Sequence, residues 1–63
     1  MKIIYAIIHA DYGLIHADLL PLFEEELESK RSYIVKGTYR ELMAKYDSDY
    51  LREFALANKI STR

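Results

Sequence analysis

Residues 38–58 carry the clearest structural pattern in this chain, and they read TYRELMAKYDSDYLREFALAN. Apolar and aromatic side chains recur there at steps of three and four residues, which is the spacing of an amphipathic helix. Thr38 and Glu41 form a capping-box pair at the start, and Asn58 suits the end. The pattern predicts one helix over residues 38–58. A break at residues 47–49 is the alternative, because this Asp-Ser-Asp run suits an N-cap better than a helix interior.

The preceding residues, 19–36, predict a second helix. Asp18 suits its N-cap, Pro21 suits its first turn, and Gly37 is a natural stop after its last residue. Two helices of nearly equal length joined by a short turn pack as an antiparallel hairpin. We therefore expect a mainly α protein, an antiparallel helical hairpin of residues 19–36 and 38–58.

Residues 3–9, IIYAIIH, form an apolar N-terminal segment. Their β-branched content favours a strand, but so short an apolar run does not separate a strand from a buried helix. We expect this segment to pack on the hairpin or to pair with its own copy in a dimer. The alternative fold is a small α+β arrangement, β-α-β-α, in which residues 3–8 run parallel to residues 33–36.

Length and composition limit the classes of protein to consider. The 63 residues predict a single small domain, residues 1–63, and 51% of them are hydrophobic, as in chains that fold. The absence of cysteine excludes disulfides and thiolate metal sites. A net charge of −1 gives no electrostatic footprint for nucleic acid or for an anionic membrane. No apolar run approaches the length of a membrane span, so we expect a complete, soluble, cytoplasmic protein without a leader.

The chain contains no motif that demands a particular chemistry. The sequence Ile-His-Ala-Asp occurs at residues 8–11 and again at residues 15–18, which places His9 and His16 in equivalent positions. Their spacing matches no zinc signature, and the serines lie in no nucleophile motif. We therefore predict no metal, no cofactor, no catalytic residues and no enzymatic activity.

The predicted hairpin leaves apolar surface uncovered. The tyrosine-rich stripe of the second helix closes against the first helix, whereas the flank of that helix around Leu51 has nothing to cover it. We therefore expect Leu51→Glu to leave the monomer folded and to abolish assembly. The predicted partner-binding residues are on this flank, on the tyrosine stripe and on the N-terminal segment: Ile4, Ile8, Ala44, Tyr46, Tyr50, Leu51 and Ala55.

These observations favour a small regulatory or inhibitor protein that binds and blocks a larger cellular protein, of the kind that phages and mobile elements encode. We expect a protein partner and a homodimer. The alternative is a helix-turn-helix-like DNA-binding transcriptional regulator built from residues 40–46 and 50–58. That alternative is weaker because Asp47 and Asp49 would face the phosphates of the DNA.

Overall fold

A three-stranded antiparallel sheet forms the centre of the protein. The structure, a computed structural model, describes residues 2–62. The strands are β1 (Ile4–His9), β2 (Gly13–Asp18) and β3 (Ser32–Gly37), in the order β2-β1-β3. β1 is apolar on both faces and needs backbone partners on both edges, so the central place suits it.

The turn between β1 and β2 has three residues, 10–12. His9 pairs with Gly13 across this turn, and Gly13 has a φ of +74°. Gly13 directly follows this loop as the first residue of β2, and glycine adopts the left-handed conformation without a steric penalty.

A β-bulge interrupts β2 close to this turn. Ile7 of β1 pairs with His16, but the next residue, Ile8, pairs with Leu14. Ile15 is therefore the extra residue of the bulge and has no partner on β1. A bulge changes the direction of a side chain and increases the local twist of the strand.

Two short helices follow the sheet, α1 (Tyr39–Tyr46) and α2 (Asp49–Ala57). The predicted capping box is present at the start of α1. Thr38 Oγ1 accepts a hydrogen bond from the Glu41 N–H at 3.2 Å, and Glu41 Oε1 accepts one from the Thr38 N–H at 3.1 Å. Two N–H groups that the first helical turn leaves without backbone acceptors are satisfied in this way.

The prediction of one continuous helix over residues 38–58 is wrong. Asp47 takes the left-handed conformation, with φ 41° and ψ 57°, and ends α1. Ser48 then caps α2, because its Oγ accepts a hydrogen bond from the Leu51 N–H at 3.1 Å. Aspartate tolerates the left-handed region better than most residues do, and serine is a favoured N-cap. The alternative, a break at residues 47–49, is what the structure contains.

The hydrophobic core lies between one face of the sheet and the two helices. β1 contributes three side chains to it, and each of the two helices contributes two. The buried members are Ile4, Ala6, Ile8, Leu14, Ala17, Tyr39, Leu42, Leu51 and Ala55.

The predicted helical hairpin is also wrong, because residues 19–36 do not form a helix. Within them, residues 24–26 form a single 3₁₀ turn and residues 32–36 belong to β3. Four glutamates crowd residues 24–28, and like charges spaced three or four apart disfavour a helix. The β-branched residues of β3 instead supply the second backbone partner that β1 requires.

The alternative β-α-β-α prediction agrees with the structure in its α+β class but not in its connectivity. β1 and β3 run antiparallel, and the described residues between β2 and β3 contain no α-helix. The N-terminal segment, residues 3–9, contains the strand β1. Both of its neighbours come from the same chain, so it does not depend on a dimer for its hydrogen bonds.

Candidate binding groove

The topology forces one segment across the face of the sheet that the helices leave open. β2 and β3 lie on opposite sides of β1, so the residues that join them, 19–31, must cross β1. We call these residues the crossover segment. Because the helices occupy the other face, the crossover segment lies over the open face, where Leu22 and Ile7 are each only 9% exposed.

A groove with a volume of about 470 Å³ lies between the open face and the crossover segment. Its lining combines aliphatic side chains, one tyrosine, two histidines, two glutamates and two serines. The lining residues are Ile7, His9, Tyr12, Ile15, His16, Leu22, Glu26, Glu28, Ser29 and Ser32.

Short-range hydrogen bonds shape the crossover segment. The Leu20 N–H donates to Asp18 Oδ1 at 3.0 Å, which turns the chain as it leaves β2. The Phe23 N–H donates to Glu26 Oε2 at 2.8 Å and closes the 3₁₀ turn. One carboxylate oxygen of Glu26 is therefore engaged within the segment, and its position on the groove wall is fixed by this bond.

The far end of the crossover segment is attached to the β1–β2 turn. The Ala10 N–H donates to the carbonyl oxygen of Arg31 at 2.9 Å, which extends the pairing of β1 with β3. The guanidinium of Arg31 also forms an ion pair with Asp11, with Nη2 at 2.6 Å from Oδ1. Both side chains are more than half exposed, so this pair adds little stability, but it directs the positive charge of Arg31 towards Asp11.

The two histidines of the sequence repeat lie on neighbouring strands and line the same groove. His9 Nδ1 accepts a hydrogen bond from the Asp11 N–H at 3.0 Å, and its ring centroid is 4.8 Å from that of Tyr12. The Asp11 N–H therefore already occupies Nδ1, the nitrogen of His9 that accepts a hydrogen bond. Within residues 2–62, no group of three or more histidine, aspartate or glutamate side chains is arranged to hold a metal ion.

Two serines, Ser29 and Ser32, line the groove. Ser29 Oγ accepts a hydrogen bond from the Arg31 N–H at 3.1 Å. The two hydroxyls can present polar groups to a bound molecule.

The charges around the groove are of one sign. Glu26 and Glu28 line the groove, and none of its lining residues is a lysine or an arginine. Residues 3–29 as a whole contain no lysine or arginine. The acidic residues of that stretch are Asp11, Asp18, Glu24, Glu25, Glu26 and Glu28. Apart from Lys2, the lysines and arginines all follow this stretch, from Lys30 onwards.

The structure does not bring the predicted partner-binding residues together into one surface. Four of them are buried in the core between the sheet and the helices, namely Ile4, Ile8, Leu51 and Ala55. The other three are on the helices, where Ala44 and Tyr50 are exposed and Tyr46 is half-buried. Burial in one chain does not test whether a partner binds, but the four core residues offer no surface unless the fold opens.

The sequence alone did not indicate most of the groove. It suggested no functional role for Tyr12 or Ile15, and it placed Leu22 on a weaker apolar stripe of the helix predicted over residues 19–36. Two signals pointed to the groove: the glycine at position 13 between two apolar runs, and the repeated His-Ala-Asp sequence. Both fit a hairpin that places His9 and His16 on one face of a sheet.

Comparisons were made with protein-family profiles, with curated proteins and with solved structures, and none of the three gave a match. The groove must therefore be interpreted from its own chemistry.

Proposed function

We propose that this chain is a small, non-enzymatic regulatory protein that binds and blocks a larger protein, and that the groove and its rim are the binding surface. The observation that carries the proposal is the exposure of large apolar side chains there. Tyr12 is 79% exposed and Ile15 is 43% exposed, and both line the groove. Leu20 and Phe23, which flank the groove residue Leu22 in the chain, are also exposed. Exposed apolar side chains that lie together mark interaction sites.

The groove chemistry favours binding over catalysis. Its lining combines two imidazoles, two hydroxyls and two carboxylates with aliphatic residues, which we call the groove floor, namely Ile7, Ile15 and Leu22. Interfaces often have this character, with an apolar centre and a polar rim. Regulators encoded by phages and mobile elements act by covering a surface of a host protein. We propose that this chain acts in the same way, with its groove in contact with the larger protein.

The proposal is tested with a matched pair of substitutions, Ile15→Asn and Leu56→Asn. Each replaces an exposed aliphatic side chain by a polar one, but Ile15 lines the groove and Leu56 lies on α2. Affinity capture from a lysate of the producing organism compares each variant with the unchanged protein. We expect Ile15→Asn to reduce the captured partner at least about tenfold, as for loss of a central interface contact, and Leu56→Asn to leave it unchanged.

The reverse result, loss with Leu56→Asn and retention with Ile15→Asn, would place the partner on the exposed side of α2. The groove would then be excluded as the binding surface. Circular dichroism of both variants shows whether the fold is kept, and surface substitutions of this type change stability by only about 0.5 kcal/mol.

We also propose a homodimer that forms through the outer edge of β2. In the sheet of residues 2–62, β2 pairs on one side only, with β1. Charged side chains usually protect an edge strand from pairing. β2 contains no lysine, arginine or glutamate, and Asp18, its last residue, is its single aspartate. Light scattering coupled to size-exclusion chromatography gives the mass directly, and a monomeric mass at micromolar concentration would exclude the dimer.

DNA binding has less support than protein binding. Arg52, the basic residue within α2, forms ion pairs with Asp47 and Asp49, so these carboxylates compete with phosphate for its charge. A gel shift that weakens steeply with salt would favour the DNA-binding alternative.

No helix within residues 2–62 combines the length and apolarity that a bilayer crossing requires. A cytoplasmic location remains our proposal, since the chain has no cysteine.

A further inference from the structure

We infer that the occupant of the groove is a basic segment of the partner protein, with an arginine side chain lying along the groove. This inference rests on the proposed function and adds the chemistry of the partner to it. The features that support it are the charge of the groove wall, the apolar character of its floor and the exposed ring of Tyr12.

The charge of the wall selects for a cation. Glu26 and Glu28 line the groove, and no lysine or arginine lines it. Glu24 and Glu25 of the crossover segment increase the negative potential around it. The nearest basic residues along the chain from Glu28 are Lys30, which is exposed and does not line the groove, and Arg31, whose guanidinium pairs with Asp11. An acidic segment of a partner would be repelled, whereas a basic segment would be attracted.

The floor of the groove selects for a cation on a long aliphatic stem. Ile15 is 43% exposed, and with Ile7 and Leu22 it forms the aliphatic part of a lining that also contains Glu26 and Glu28. Lysine and arginine side chains cover apolar surface with their methylene groups while the charged end stays in a polar environment. A compact cation such as an ammonium ion would leave this floor uncovered.

Tyr12 favours arginine over lysine. Its side chain is largely exposed at the rim, and its ring is held beside His9 with the ring centroids 4.8 Å apart. A guanidinium is planar, stacks on aromatic rings and binds carboxylates through two parallel hydrogen bonds, whereas an ammonium group is a compact point charge. Arginine can therefore use the tyrosine and a carboxylate together.

The first experiment uses a synthetic peptide, acetyl-Leu-Arg-Leu-Arg-Leu-amide, titrated into the full chain labelled with ¹⁵N. Matched peptides carry lysine or glutamate in place of arginine. We expect the arginine peptide to shift the amide signals of residues 12–16 and 22–32 saturably, the lysine peptide to bind more weakly, and the glutamate peptide to give no shifts. Equal shifts with all three peptides, or shifts confined to α1 and α2, would overturn the inference.

The second experiment distinguishes a cation that is bound inside the groove from one that is attracted only by long-range electrostatics. Glu28→Lys and Glu25→Lys make the same change of charge in the same segment, but only Glu28 lines the groove. We expect Glu28→Lys to weaken binding of the arginine peptide about fivefold or more, the scale of a lost surface ion pair, and Glu25→Lys to change it less than about twofold. Equal weakening by both variants would show that the cation is not held in the groove.

The inference and the proposed function can fail separately. If the arginine peptide does not bind but Ile15→Asn still abolishes capture of a protein partner, the groove is the binding surface and the partner is not basic there. If the peptide binds as expected but Ile15→Asn leaves the captured partner unchanged, the groove recognises arginine and the captured protein binds elsewhere.

Discussion

Leu51 shows at the level of one residue how the core is assembled. It has no exposed surface and is, with Ile4, one of the two largest fully buried side chains in the described part of the chain. It enters the core at the start of α2, one turn after the Ser48 cap, together with Ala55. In a small protein with so few buried side chains, each one supplies a large share of the stability.

We expect Leu51→Ala to lower the free energy of unfolding by about 2–5 kcal/mol, because it removes buried methyl groups and leaves a cavity. The control is Leu56→Ala on the same helix, where the side chain is 65% exposed and the change should be within about 0.5 kcal/mol. Urea denaturation measures both. Equal effects of the two substitutions would contradict this assignment of the buried face of α2.

The same burial reverses the earlier expectation for Leu51→Glu. A carboxylate at this position would be buried without a partner, and we now expect it to unfold the monomer. The backbone conformation of Asp47, four residues before Leu51, explains why Leu51 faces the core. The left-handed backbone of Asp47 ends α1 and resets the rotation of α2, so the apolar stripe of α1 does not continue onto α2 in the same phase.

At the level of elements, α1 is defined by its N-terminal cap. The pKa of Glu41 is lowered from its ordinary value of 4.5, first by the hydrogen bond from the Thr38 backbone and then by the bond from the Thr38 hydroxyl. Both bonds favour the ionised carboxylate, so folding and ionisation support each other. The stabilisation is therefore present above pH 4.5 and is lost as the pH falls through the lowered pKa of the folded state.

This linkage predicts a difference between the unchanged protein and Glu41→Gln in urea denaturation at a series of pH values. The unchanged protein should be the more stable at pH 7, and its advantage should shrink as the pH falls below 4.5. In a Thr38→Ala background the pH dependence of this difference should be smaller, because the hydroxyl bond is absent. An advantage that stays constant with pH would show that the cap does not depend on ionisation.

The crossover segment is the element that makes the groove. Its own hydrogen bonds are short-range, as in the 3₁₀ turn closed by Glu26, and its position depends on attachment at both ends. Leu22 is the part of it that is buried against the open face of the sheet. The groove therefore exists only because β1 takes the central place and the chain has to cross it.

For the whole molecule, the topology predicts an order of amide exchange. β1 pairs with strands on both sides, whereas the crossover segment has mainly local hydrogen bonds. Exchange measured by NMR should be slowest in residues 4–8 and fastest among the ordered segments in residues 19–28, because protection follows the free energy of opening. Uniform helical protection across residues 19–36 would contradict the sheet.

Charge is also distributed unevenly over the molecule. The acidic residues concentrate in the crossover segment and the first two strands, while most basic residues follow from Lys30 onwards. The net charge of −1 is therefore the sum of an acidic N-terminal half and a basic C-terminal half. Such asymmetry orients an approaching partner, which agrees with the proposed recognition of a basic segment at the acidic groove.

Local signals in the sequence predicted local structure well. The Thr38–Glu41 pair identified the start of α1, and the run of residues 47–49 marked the alternative break that the structure contains. A glycine between two apolar runs indicates a turn or a helix end, and Gly13 directly follows the turn of the β1–β2 hairpin. Each of these features is decided by hydrogen bonds or backbone preferences within a few residues, so a short stretch of sequence contains the necessary information.

The sequence by itself determined the cap of α1, the absence of disulfides and the separation of charge along the chain. Only the tertiary structure decided that residues 32–37 pair with β1, that Leu51 faces the core and that residues 19–31 enclose a groove. The physical reason is that strand pairing and helix rotation depend on partners far away in the chain. β1 requires a neighbour on each edge, and β3 supplies the second one from residues that lie more than twenty positions further along the chain.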